Sequence, residues 1–90
     1  MKRFLVIFEG QVQGVGFRWT VTNLAQRYGV TGYVRNRYDG MVECELQGHL
    51  QDILDIIDRL QHASYYIQID NYSMKELPVD PEERRFTVQY

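Results

Sequence analysis

The chain has 90 residues and a formal net charge of −2, with 44% hydrophobic and 24% charged residues. These values predict one soluble globular domain over residues 1–90, and they exclude the low hydrophobicity that is typical of disorder. The weak negative charge also argues against long nucleic acids as partners, because it creates no field that attracts a polyanion. Any site for an anion must therefore be a local arrangement of hydrogen-bond donors.

The single cysteine, Cys44, excludes an internal disulfide and a metal site with several cysteine ligands. No apolar run reaches the roughly 18–20 residues that are needed to cross a bilayer. The apolar segment at residues 4–8 is also too short for a signal peptide. We therefore expect a cytoplasmic protein with no membrane partner.

The chain opens with a predicted strand and a predicted helix. Residues 3–9 are aliphatic and aromatic almost throughout, as in a central strand. From Phe17 to Tyr28 the apolar residues recur at helical spacing, and Gly29 stands where a left-handed cap would end the helix. The residues between the strand and the helix then form a glycine-rich connection.

A hairpin is predicted next. Residues 31–37 and 41–47 alternate in polarity on either side of a turn at residues 38–40. The alternation puts Asn36 on one face of its strand and Arg35 and Arg37 on the other. The two arginines either draw anions toward the sheet or simply keep its face soluble.

The second half repeats the pattern of a helix followed by a strand. Residues 53–60 carry an apolar helical stripe, and residues 65–74 read as a fourth strand. The apolar parity of that strand changes, which predicts a bulge or bend near Asp70–Asn71. A polar turn over residues 78–83 precedes a short final strand at residues 86–90, which we expect at a sheet edge.

This order of elements predicts an α+β fold. The arrangement is a βαββαβ sandwich with two helices on one face of an antiparallel sheet, plus a short C-terminal edge strand. Because the first helix carries the chain back between them, the first and second strands run in the same direction. Their carboxyl ends therefore lie at one edge of the sheet, which places Asn36 near the glycine-rich connection and Arg18.

The connection over residues 10–18 reads GQVQGVGFR. Successive amides of such a loop, at the positive end of a helix dipole, form a cradle for an anion such as phosphate. A nucleotide P-loop is disfavoured because the Gly-Lys-Ser/Thr sequence is missing, and Trp19 replaces the third glycine of the dinucleotide fingerprint. By residue type alone, an alternative stays open: the glycines only make a tight turn, and Arg18 is a solvated surface residue.

Four segments resemble the acylphosphatase family, and the similarity spans nearly the whole chain. They are residues 10–18 (GQVQGVGFR), 32–36 (GYVRN), 39–43 (DGMVE) and 85–90 (RFTVQY). The resemblance implies a ferredoxin-like sandwich, in agreement with the order of elements. It also implies hydrolysis of acyl phosphates to a carboxylate and inorganic phosphate, without a metal or a cofactor.

The resemblance also implies roles for particular residues. Arg18 binds the phosphate and Asn36 holds the attacking water, whose proton passes to the phosphate of the substrate. The amides of the phosphate-binding loop bind the phosphoryl oxygens; the loop consists of Gln13, Gly14, Val15, Gly16 and Phe17. We expect a monomer whose partners are a small acyl phosphate and inorganic phosphate, as product or competitor.

One segment departs from the family pattern. Members of the family often carry a Gly-Pro turn before the fourth strand, whereas residues 60–65 read LQHASY here. This segment is distant from the signature in sequence. We therefore expect it to change the local shape, a partner surface or the substrate preference, and to leave the chemistry intact.

Three other groups of residues are predicted to have no catalytic role. His49 and His62 lie at the two ends of the second helix, without the spacing of metal ligands. Cys44 points inward by strand parity and should behave as a small, inert hydrophobic residue. The remaining group recurs every three residues, as a solvated helix face does; its members are Asp52, Asp55 and Asp58.

Two rival functions remain. The aromatic residues Tyr33, Tyr65, Tyr66 and Tyr72 invite comparison with RNA-binding proteins that stack bases on an open sheet of this topology. The acidic balance argues against such a module, and so does the lack of a basic, aromatic strand motif. The other rival is a domain that acts only within a larger maturation enzyme, which the length of the chain disfavours.

Overall fold

The strands and helices follow one another in the predicted order. The computed structural model describes residues 1–90. The elements are β1 (Lys2–Gln11), α1 (Phe17–Tyr28), β2 (Thr31–Asn36), β3 (Val42–Gly48), α2 (Leu50–Gln61), β4 (Gln68–Leu77) and β5 (Phe86–Gln89). Gly29 adopts the left-handed conformation predicted for the cap of α1, with φ of 69°. Neither helix is long and apolar enough to span a bilayer.

The five strands form one mixed sheet in the order β4-β1-β3-β2-β5. β5 lies at an edge as predicted and pairs parallel to β2, so the predicted antiparallel arrangement holds for β1 to β4 and the fifth strand makes the sheet mixed. The cause is the connection over residues 78–85. It leaves β4 at the end of the sheet where β2 begins and crosses to the opposite edge, so β5 enters in the direction of β2.

The register of β3 aligns the two strands that lead to the candidate site. Val42 pairs with Phe8 of β1 on one side and with Asn36 of β2 on the other. Because both of these pairings are antiparallel, β1 and β2 run in the same direction with β3 between them. The prediction that their carboxyl ends share one edge of the sheet is confirmed.

The predicted irregularity in β4 is present. Glu9 pairs with Asn71 and Gly10 pairs with Ile69, so Asp70 is the extra residue of a bulge. β4 begins at Gln68, later than the sequence indicated. The preceding tyrosines belong to a turn instead, in which the Tyr66 amide donates to Ser64 Oγ at 3.1 Å.

Both helices bury their apolar stripes against the same face of the sheet. The buried residues of α1 are Phe17, Val21, Leu24 and Ala25, and those of α2 are Ile53, Ile56, Ile57 and Leu60. Cys44 is fully buried among them. Burial raises the pKa of the Cys44 thiol, and the charge of Glu43 raises it further. The thiol therefore stays protonated, as predicted for an inert residue.

The opposite face of the sheet carries a charged network around Arg3. The buried Arg3 guanidinium donates to Glu45 at 2.8 Å, to Gln47 at 3.0 Å, and through two nitrogens to Glu83 at 2.8 and 3.1 Å. Gln47 also exchanges two hydrogen bonds with the main chain of Asp80, at 2.9 and 2.8 Å. These bonds fasten the connection between β4 and β5 to the sheet.

The four tyrosines do not form one aromatic surface of the kind on which RNA-binding proteins stack bases. The half-buried Tyr33 hydroxyl lies within hydrogen-bonding distance of Glu43 and Glu45. Tyr72 lies on the helix side, where its ring packs against Phe8 at 6.0 Å between centroids. The remaining two are exposed in the turn before β4. Charged pairs, rather than stacking aromatics, therefore occupy the open face of the sheet.

Candidate active site

The loop predicted to bind phosphate leaves β1 and turns into α1 through two left-handed glycines. Gly14 has φ of 73° and Gly16 has φ of 78°, and open space surrounds the position where a Cβ would stand at each. Gly16 is the N-cap of α1, with no side-chain capping bond and no acidic residue in the first turn. Because the first amides of a helix have no partner within the helix, the loop presents them with the positive end of the dipole.

A cavity of about 320 Å³ opens beside this loop. Its lining residues are Val12, Gly14, Gly16, Phe17, Arg18, Trp19, Asn36, Val88 and Tyr90. Arg18 and Asn36, which the order of strands assigns to the same edge, thus line one cavity. Among the other loop residues, Val15 packs against the core and Gln13 directs its side chain to the hairpin, so neither lines the cavity.

Arg18 has no carboxylate partner. It is half-buried in the first turn of α1, and its guanidinium lies over the Tyr90 ring at 5.2 Å from the centroid. The ion pairs of the chain involve other cations, namely Lys2, Arg3, Arg35 and Arg37. The positive charge of Arg18 therefore adds to the helix dipole instead of being neutralised.

Asn36 carries an unpaired buried oxygen. It is the last residue of β2, and its Oδ1 is buried without a hydrogen-bond partner in the protein. Buried polar atoms are almost always hydrogen-bonded, so this oxygen suits a donor that enters the cavity. Its neighbours Arg35 and Arg37 form ion pairs with Glu43 and Asp39, which accounts for charges whose role the sequence left open.

Several lining residues could not be identified from the sequence. Trp19 follows Arg18 directly, but nothing in its type marked it as part of a site. Val88 and Tyr90 reach the cavity because β5 runs parallel to β2, a pairing that the sequence does not reveal. Tyr66, which follows the segment that departs from the family pattern, accepts a hydrogen bond at its carbonyl from Gln11 Nε2 at 2.9 Å.

A second, larger groove of about 600 Å³ lies between the helices. It is lined by Trp19, Thr20, Asn23, Leu24, Arg27, Asp55, Asp58, Arg59, His62 and Ala63. His62 Nδ1 lies 3.0 Å from the Asp58 carbonyl, in the last turn of α2. The ring therefore takes part in the helix end, in keeping with the absence of a predicted role.

The family model described as Acylphosphatase matches residues 4–88. The chain belongs to the acylphosphatase family. The acylphosphatase of Geobacillus thermodenitrificans is 38% identical over 90 residues, which cover 100% of this chain and 96% of that protein. The curated relatives bear the name of a hydrolase, in agreement with the activity that the sequence motifs implied.

Solved structures show the same acylphosphatase fold. The crystal structure of acylphosphatase from Bacillus subtilis matches with a TM-score of 0.92 at 30% identity and covers 100% of both chains. Full-length HypF, crystallised in a phosphate- and nucleotide-bound form, matches with a TM-score of 0.89 at 31% identity. That match covers 99% of this chain and 12% of the HypF chain. The ferredoxin-like α+β sandwich predicted from the sequence is confirmed.

Proposed function

We propose that this chain hydrolyses the carboxyl-phosphate bond of small acyl phosphates in the cavity that Arg18 and Asn36 share. The products are a carboxylate and inorganic phosphate, and the reaction needs no metal and no cofactor. The observation that carries the proposal is the meeting of three features in one cavity: left-handed loop glycines, an arginine without an ion pair, and a buried unpaired amide oxygen.

The loop and Arg18 bind the phosphoryl group. An arginine in the first turn of a helix is unfavourable by itself, because the dipole there prefers negative charge. A dianion in the loop reverses this preference. It accepts hydrogen bonds from the amides of residues 13–17, and the planar guanidinium contributes charge-assisted bonds of about 1.5–3 kcal/mol each.

Asn36 positions the water that attacks. Its Oδ1 accepts a hydrogen bond from the water and directs the oxygen lone pair toward phosphorus. The bond from water oxygen to phosphorus forms while the bond from phosphorus to the acyl oxygen breaks, and the electron pair leaves with the carboxylate. An amide is not basic, so the water proton passes to an oxygen of the transferred phosphoryl group.

Positioning and charge stabilisation suffice for this reaction. A carboxylate is a good leaving group, and phosphoryl transfer has a loose transition state with charge spread over the equatorial oxygens. The donors of the loop are main-chain amides that face those oxygens. Trp19, Val88 and Tyr90 offer apolar surface in the same cavity to the acyl part of the substrate.

The test is hydrolysis of benzoyl phosphate in the presence of EDTA. Removing a donor to the transition state lowers the rate by about 10²–10³, so Arg18→Ala and Asn36→Ala should each lose at least that much. Matched control residues, one arginine and one asparagine, lie on α1 outside the cavity. Arg27→Ala and Asn23→Ala, both in the groove between the helices, should keep the parent rate.

The proposal fails if the parent shows no turnover, or if Arg18→Ala retains the full rate. Binding has an independent readout in thermal unfolding with inorganic phosphate. A ligand at 100 times its Kd stabilises the folded state by about 2.7 kcal/mol. Phosphate should therefore raise the melting temperature of the parent and of Arg27→Ala, but leave that of Arg18→Ala unchanged.

We further propose that the enzyme is a cytoplasmic monomer, with neither nucleic acids nor membranes as partners. One copy of the chain supplies every residue of the cavity. Its single cysteine is a buried free thiol, which suits a reducing compartment. Light scattering at the assay concentration should give a mass near 10.7 kDa, and a mass of twice that value would contradict the monomer.

A further inference from the structure

We infer that the Gln13 side chain is a positioning residue, which joins the phosphate-binding loop to the hairpin that carries Asn36. This inference rests on the proposed function, because it concerns the distance between bound phosphate and the attacking water. The family resemblance implies only a main-chain role for Gln13. In the structure, its side-chain amide donates to the Arg37 carbonyl and to the Met41 carbonyl, each at 2.8 Å.

These two carbonyls belong to the closing pair of the hairpin between β2 and β3. Arg37 follows Asn36 directly, and Met41 precedes Val42, the residue that pairs with Asn36. The Gln13 amide therefore bonds immediately beside Asn36 on both arms of the hairpin. Both of its hydrogens are used, so the contact fixes the orientation of the loop as well as its distance.

The hairpin end is itself rigid. The Arg37 amide donates to the Met41 carbonyl at 2.9 Å, and the Met41 amide donates to Asp39 Oδ1 at 3.0 Å. The other Asp39 oxygen pairs with the Arg37 guanidinium at 3.0 Å. The loop is thus held against a turn that is already fixed by its own bonds.

The loop depends on these side-chain hydrogen bonds because the backbone pairing of the sheet does not extend to it. β1 ends at Gln11, and two left-handed glycines give the following backbone freedom to move. Gln13 is the one polar side chain among residues 12–16. The groups that hold phosphate come from the loop and α1, whereas the group that holds water comes from β2. The hydrogen bonds of Gln13 therefore set the distance between the bound phosphate and the attacking water.

A purely structural anchor and a positioning residue differ in kinetics. Loss of an anchor weakens folding, and phosphate binding falls together with turnover. Loss of a positioning residue leaves the phosphate in place but misplaces the water. Displacement of a reacting group by about 1 Å costs about 10²-fold in rate. The useful readout is therefore kcat compared with the inhibition constant of inorganic phosphate.

The test compares Gln13→Met with Gln11→Met. Methionine keeps the volume of the side chain and removes the donors, and both variants keep the backbone amide. Gln11 makes a matched control, because its side-chain amide also donates to a main-chain carbonyl, that of Tyr66, away from the hairpin. Benzoyl phosphate turnover and phosphate inhibition are measured at a temperature where all three proteins are folded by circular dichroism.

We expect Gln13→Met to lower kcat by about 10-fold to 100-fold while the phosphate inhibition constant changes less than about 3-fold. Gln11→Met should keep kcat within about 2-fold of the parent. The inference is wrong if Gln13→Met keeps the parent kcat, if its phosphate affinity falls in step with kcat, or if Gln11→Met loses as much. An inactive parent instead refutes the proposed function.

A measurement on the parent covers the case in which Gln13→Met does not fold. Inorganic phosphate is titrated into ¹⁵N-labelled protein, and the side-chain amide of Gln13 and the backbone amide of Arg37 are followed by NMR. If the Gln13 hydrogen bonds couple the loop to the hairpin, the signals of the Gln13 side-chain amide and the Arg37 backbone amide shift together with those of the loop amides. Shifts confined to the backbone amides of residues 13–18, with the Gln13 side-chain amide and the Arg37 amide unmoved, would overturn the inference, and so would a shift of the Gln13 side chain without one of Arg37.

Discussion

Replacing Arg3 with methionine should destabilise the fold more than any change at a surface ion pair. The Arg3 side chain is only 8% exposed, and its carboxylate partners Glu45 and Glu83 are 23% and 17% exposed. Methionine fills much of the space but leaves both carboxylates without their cation. It also removes the bonds to Glu83, which help to fasten the connection between β4 and β5.

The size of the effect follows from this burial. Removing one partner of a fully buried ion pair costs about 3–5 kcal/mol. Water can still reach part of each carboxylate here, so we expect Arg3→Met to lower the free energy of unfolding by about 2–3 kcal/mol. For a domain of this size, that loss corresponds to a fall of about 10–20 °C in melting temperature.

Urea unfolding at pH 7 measures the loss, and Lys2→Met serves as the control. The Lys2–Glu76 pair has side chains that are 47% and 56% exposed, so its loss should cost less than about 1 kcal/mol. The coupling between Arg3 and Glu83 is isolated by a double-mutant cycle with Glu83→Gln, and it should exceed about 1 kcal/mol. A cost for Arg3→Met no larger than that for Lys2→Met, or a coupling near zero, would refute the reasoning.

Two other features lead to further predictions. A Cβ at Gly16 or Gly29 would meet open space, but the left-handed φ of 78° or 69° is unfavourable for alanine. Gly16→Ala and Gly29→Ala should therefore each lower the free energy of unfolding in urea by about 1 kcal/mol. Only Gly16→Ala should also lose activity. Burial by itself raises the pKa of the Glu43 carboxyl, but hydrogen bonds from Tyr33 and Arg35 and nearby positive charge lower it below its ordinary value of 4.5. Stability from Glu43 is therefore present above that pH and lost as the pH falls through the folded pKa, so the deficit of Glu43→Gln in urea unfolding should shrink between pH 7 and pH 3.5. A constant deficit would contradict this.

Local sequence patterns predicted most of the fold, because the order of apolar and polar residues in each helix or strand reflects which of its faces is buried. The apolar stripe from Phe17 to Tyr28 required a helix with one buried face, and Gly29 marked its end. The change of parity near Asp70 revealed a bulge, since an extra residue reverses the faces of a strand. Strand directions alone then brought Arg18 and Asn36 to one edge.

Features that depend on long-range contacts could not be predicted in this way. The direction of β5 is set by the path of residues 78–85, which are held by Arg3 and Gln47, two residues that are distant in sequence. Tyr90 reaches the cavity only through that pairing. The bonds of Gln13 to the hairpin depend on a side-chain direction inside an irregular loop, for which residue type gives no signal.

The central position of β1 also governs how the chain acquires its structure. β1 pairs with β3 and β4, whose residues are made long after its own, with Arg3 opposite Gln47 and Leu77. During synthesis, this apolar segment has neither of its neighbours until those later strands emerge. Folding therefore depends on contacts between residues that are distant in sequence, and such folding is slow. Until those contacts form, the unpaired β1 is the segment most exposed to association with other chains.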